Sequence, residues 1–83
     1  KALLWIWVTV TVYVSGEIQV NPGTNLQGWA SQSECEAALV AEKDFGYTAG
    51  WDVVTTDYGT RLVYEQTSMK SVTQCFPVYA KPR

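Results

Sequence analysis

The sequence predicts an α+β fold: an antiparallel sheet of four or five strands with one helix packed on one face, closed by one disulfide, in a single domain spanning residues 1–83. Three observations predict it. Trp5 to Val14 (WIWVTVTVYV) alternates without a break for ten positions, as a strand with two different faces does. Ser33 to Leu39 (SECEAAL) opens with the capping pattern of a helix. Two cysteines, Cys35 and Cys75, stand far apart in a chain too short to bury a large core.

The first strand places Ile6, Val8, Val10, Val12 and Val14 on one side and Trp5, Trp7, Thr9, Thr11 and Tyr13 on the other. The aliphatic row is expected to be the core wall, covered by the helix. The aromatic row then has no helix of its own, because one helix covers one face of a sheet. Two readings stay open for Trp5, Trp7, Thr9, Thr11 and Tyr13: the loop carrying Trp29 folds across them, or they form a contact surface for another chain.

Ser15-Gly16 reads as a two-residue turn, and Glu17-Ile18-Gln19-Val20 as a strand returning antiparallel to the first. Asn21-Pro22-Gly23 stops that strand, since proline cannot donate to a ladder and Pro-Gly suits a turn. Thr24 to Gln32 is a loop whose Trp29 is expected to plug the edge of the core.

The helix is expected over Glu34 to Asp44, with Ser33 as cap, Glu36 completing the box, and Glu34 and Glu36 near the positive end of the dipole. Cys35, Ala38, Leu39 and Phe45 fall near one face, and Gly46 stands where a left-handed residue would end the helix.

Trp51 to Thr56 and Thr60 to Gln66 read as two further strands joined by a three-residue connection, Asp57-Tyr58-Gly59. Thr67 to Lys70 is a polar link. Ser71 to Tyr79 is the last strand, and Pro77 inside it argues for an edge position or an irregular end.

Composition narrows the function. The net charge is −2 and the six basic residues are scattered, so no patch is concentrated enough for nucleic acid. Histidine is absent, which removes the commonest general base and the commonest metal ligand. No serine therefore has a histidine to activate it, and two distant cysteines complete neither a redox motif nor a zinc site. Asp44, Asp52, Asp57 and Glu65 are the candidate acids and bases, better read as solvated surface charges. No catalytic residue, metal ligand or cofactor is expected.

The apolar run from Ala2 to Val14 is shorter than a membrane-spanning helix requires, and its threonines and β-branched residues disfavour a helix. The chain starts on Lys1 rather than Met, as a processed product would after removal of a leader. An even cysteine count points to one disulfide in an oxidising compartment, the alternative being two buried thiols.

The W-x-W of Trp5 and Trp7, the S-x-C-E-A-A-L of Ser33 to Leu39, and the C-F-P of Cys75 to Pro77 followed by Lys81-Pro82-Arg83 resemble segments of small exported bacterial proteins of unknown function. The resemblance implies export and a Cys35 to Cys75 bond, and carries no activity. The expected function is a non-catalytic structural or interaction subunit outside the cytoplasm, periplasmic or secreted. Its partner is protein, either foreign or a second copy in an oligomer or filament, met through the aromatic face or a strand edge. The first alternative is a small inhibitor presenting Thr24 to Gln32 or Asp57 to Gly59. The second is a hydrolase using Asp52 or Glu65.

Overall fold

The computed structural model describes residues 2–22, 28–42, 48 and 50–79. Five strands and one helix follow in the order β1 (Leu4–Tyr13), β2 (Ile18–Pro22), α1 (Gln32–Glu42), β3 (Asp52–Thr56), β4 (Gly59–Glu65) and β5 (Met69–Val78). All five strands form one antiparallel sheet ordered β2-β1-β5-β4-β3, so the fold is α+β with one helix and one disulfide. The two ten-residue strands, β1 and β5, pair along their whole length, from Leu4↔Val78 to Tyr13↔Met69. They form the spine on which the shorter strands are laid.

The first hairpin is tighter in register and longer in loop than expected. Val12 pairs with Ile18, the Tyr13 amide donates to the Glu17 carbonyl, and the Gly16 amide donates back to Tyr13. The connection is therefore the four residues Val14 to Glu17, not Ser15-Gly16 alone, and Val14 leaves the strand. The second hairpin errs the other way. Thr56 pairs with Gly59, which leaves Asp57 and Tyr58 as a two-residue connection.

Pro77 does not place its strand at an edge, since β5 is the central strand. Its end is not irregular on the β1 side either, where pairing runs on through Val78. Trp5 opposite Pro77 turns its N–H and C=O to Trp29 on its other side, so the Trp5–Pro77 pair shares no hydrogen bond. The missing donor of Pro77 faces the β4 side, where pairing already stops at Arg61↔Gln74.

The helix starts earlier than Ser33. The Ser31 hydroxyl accepts from the Glu34 amide at 3.2 Å and the Ser31 carbonyl from the Cys35 amide at 3.1 Å, so Ser31 is the cap and Glu34 stands three residues on. Glu36, released from capping, accepts from the Thr60 amide at 3.1 Å and from Gln32 Nε2 at 3.0 Å, while Gln32 also donates to the Tyr58 carbonyl. One carboxylate thus fastens the β3–β4 hairpin to the first turns of α1. The expected stop at Gly46 lies outside the described residues.

The main correction concerns the face that α1 covers. The core is Cys35, Leu39, Leu62 and the Cys75 half of the disulfide, with Trp5, Trp7, Trp29 and Trp51 packed against it. Cys75 is opposite Trp7 in the register, and side chains directly opposite share a face. The bond to Cys75 therefore draws α1 onto the Trp–Thr side of β1. The valine wall is left on the far side of the sheet.

Candidate interaction surface

On the covered side, of the residues expected at an interface Thr9 and Thr11 are interior and Trp5, Trp7 and Tyr13 are half-buried. Thr9 and Thr11 are only 8% and 6% exposed. Their hydroxyls hydrogen-bond across the spine, Thr9 to Thr73 at 2.6 Å and Thr11 to Ser71 at 2.7 Å. Mutual pairing removes most of the cost of burying these groups, and their small size lets the helix approach. Trp7 donates its indole N–H to the Cys35 carbonyl at 3.2 Å and stacks on Trp29, with ring centroids 4.8 Å apart. Trp29 also exchanges two backbone hydrogen bonds with Trp5. Tyr13, half-buried, donates to Gln19 at 3.3 Å. Of the two readings of this face, the Trp29 segment and the helix cover it.

The opposite side is where the apolar side chains have gone. The pairing registers place them in rows across the sheet. The middle row is Asp52–Val63–Val72–Val10–Val20. Beside it on one side run Val54–Arg61–Gln74–Val8–Pro22, and on the other Glu65–Lys70–Val12–Ile18. Ile6 opposite Phe76 and Leu4 opposite Val78 continue it toward one end. Among the described residues no helix lies across these rows, and Gly28 comes up against Leu4 and Ile6 at their end. Val12 is 46% exposed, and Ile18 and Val20 are each 62% exposed.

Strands of 10, 5, 5, 7 and 10 residues, at about 3.3 Å per residue and about 4.8 Å between strands, make a face of roughly 600 Å². A monomer's largest apolar patch is usually roughly 300–600 Å² and often functional. Scattered surface apolars need no explanation, but here they run together over β1, β2 and Val72 of β5, with Lys70 and Gln74 on β5 and Arg61, Glu65 and Asp52 toward the β3 edge.

Asp52 and Glu65 stand on this flat face, diagonal across the β3–β4 pair and beside Arg61 and Lys70, rather than facing each other across a cleft. Asp57 sits in the second hairpin turn, and Asp44 lies outside the described residues. Among the described residues no three His, Cys, Asp or Glu gather as a metal set. No described helix is long and apolar enough to cross a membrane. The Asp57 to Gly59 tip projects Tyr58, 90% exposed, with its backbone held by Gln32 and by the Thr56 hydroxyl. Of the Thr24 to Gln32 loop, residues 24–27 lie outside the described residues.

Sequence reasoning missed the surface because both faces of β1 are apolar enough to be a core. One signal could have found it. Cys75 alternates in step with Ser71 and Thr73, the hydroxyl side of its strand, so a helix bonded to Cys75 belongs on that side. No family model, curated protein or solved structure matches the chain.

Proposed function

We propose that the protein is a non-catalytic structural or interaction subunit of an extracytoplasmic assembly, and that it associates with protein through the open valine face of its sheet. The observation that carries this reading is the aliphatic surface over β1 and β2, continued by Val72 of β5, which leaves Ile18 and Val20 mostly in solvent. Aliphatic rows that point away from a protein's own core lower their free energy by meeting another surface. The Cys35–Cys75 bond fits an oxidising compartment.

A photo-crosslinking side chain at Val10 tests the reading in the cells that make the protein, with the same group at Ser33, on the exposed side of the helix, as control. Crosslinks to protein from Val10 and not from Ser33 support it. Equal or absent crosslinking at the two positions contradicts it.

One observation favours a second reading, a binding module that presents a loop. Tyr58 stands out at the end of a hairpin whose backbone is fastened to α1, and an ordered aromatic anchor loses little entropy on binding. Crosslinks from Tyr58 in place of Val10 would select it.

A further inference from the structure

Resting on the reading that the valine face binds protein, we infer that its occupant is a second copy of the same chain, packed face to face in a two-fold sandwich. The outward side of β4 carries Arg61, Val63 and Glu65, two opposite charges spaced equally about a valine. A two-fold axis running across the strands over the row Val63–Val72–Val10–Val20 returns that row to itself and exchanges its two neighbours.

The exchange sets Arg61 against Glu65 of the second copy, and Gln74 against its Lys70. Val8 meets Val12, and Pro22 meets Ile18. Apolar groups therefore fall on apolar groups, and Arg61 on the opposite charge. The other in-plane axis, along the strands, sets the charged β3–β4 half over the apolar β1–β2 half and is disfavoured by desolvation.

The size of the face agrees. Two faces of roughly 600 Å² bury roughly 1,200 Å², the lower bound for a specific interface, and accessible area exceeds the flat estimate because side chains project. The axis row supplies an aliphatic middle of Val63, Val72, Val10 and Val20, flanked on β4 and β5 by Arg61, Glu65 and Lys70. Aligned sheet packing with a twist of about 30° accommodates the geometry. Two contacts are unfavourable: Asp52 lies on the axis row and faces its own copy from an edge strand, and Lys70 on the central strand faces Gln74 and not an acid.

The test is a sedimentation-equilibrium series on the purified, oxidised 83-residue chain with charge-exchange variants. The expected species is twice the 9.3 kDa chain mass. Arg61→Glu or Glu65→Arg alone should weaken it about tenfold, the loss of two symmetric pairs each turned repulsive. Arg61→Glu with Glu65→Arg in one chain should restore it, and mixing the two single variants should give a heterodimer tighter than either parent. Asp52→Asn should tighten the dimer. Equal effects of the single and double exchanges overturn the two-fold.

A chain that stays monomeric at every concentration overturns self-association, whatever its folding. The Val10 crosslink separates that failure from failure of the underlying reading. A product of twice the chain mass supports the second copy. A product of any other mass overturns the second copy while the valine face stands as a protein-binding surface, and no product removes both.

Discussion

Trp7 and Cys35 are joined by a hydrogen bond from the indole N–H to the helix carbonyl, 3.2 Å long, across 28 residues of sequence. The same Trp7 is opposite Cys75, to which Cys35 is covalently bound. Helix, aromatic face and disulfide are thus one unit, and that unit decides which side of the sheet is inside. The side chains most easily taken for the core, the valines of β1, are left to form a surface.

Helix capping gives the first expectation. Ser31→Ala should destabilise the protein by about 1 kcal/mol, because the Glu34 amide loses its acceptor. Ser33→Ala, at an exposed position inside the helix, should change stability by less than about 0.5 kcal/mol. Urea unfolding of the two variants checks the order.

Two glycines separate backbone strain from collision. Gly16 and Gly59 both have positive φ, 93° and 134°, but a Cβ at Gly16 would meet nothing within 4 Å. At Gly59 it would run into the Glu36 carboxylate and come within 2.7 Å of Gln32 Nε2. Gly16→Ala should cost about 1 kcal/mol from φ alone. Gly59→Ala should cost more, as the hairpin must also release the Glu36 clamp, and thermal melts of the pair should show the larger drop for Gly59→Ala.

The hydroxyl pair Thr11–Ser71 predicts a non-additive cycle. Either Thr11→Val or Ser71→Ala leaves a buried hydroxyl without its 2.7 Å partner and should cost roughly 1–3 kcal/mol. The double variant should cost less than the sum by at least about 0.5 kcal/mol. Additive costs would mean that the face is wetter than its burial indicates.

Reduction of the disulfide should be severe. The bond spans 40 residues, for which chain entropy gives about 4 kcal/mol, a large share of a small domain's stability. Adding a thiol reductant should lower the denaturant midpoint or unfold the chain outright, measured by far-ultraviolet circular dichroism.

Much of this fold was legible because local rules were strong. Strict alternation marked β1, the glycines and Asp57 marked the hairpins, and the two cysteines marked the staple. The helix start was misplaced for a plain reason: Ser33 with Glu36 has the spacing of a capping box, and only the position of the Thr60 amide decides that Glu36 serves the hairpin while Ser31 caps. The inside face was illegible because tryptophans and valines are both apolar, while alternation says that two faces differ without saying which is covered. Partners remote in sequence, Cys75 and Trp29, make that choice.

The most direct measurement compares two neighbours on β1 that point to opposite sides, Thr9 and Val10. Equilibrium unfolding of Thr9→Lys and Val10→Lys, at a concentration where both are monomeric, reads which side is interior. The expected result is that Thr9→Lys loses most of its stability, since its charge enters a site 8% exposed beneath the helix, while Val10→Lys stays folded within about 1 kcal/mol of the wild-type monomer. The opposite order, with Val10→Lys unfolded and Thr9→Lys stable, would contradict the account, because the valine face would then be the core and not an open surface.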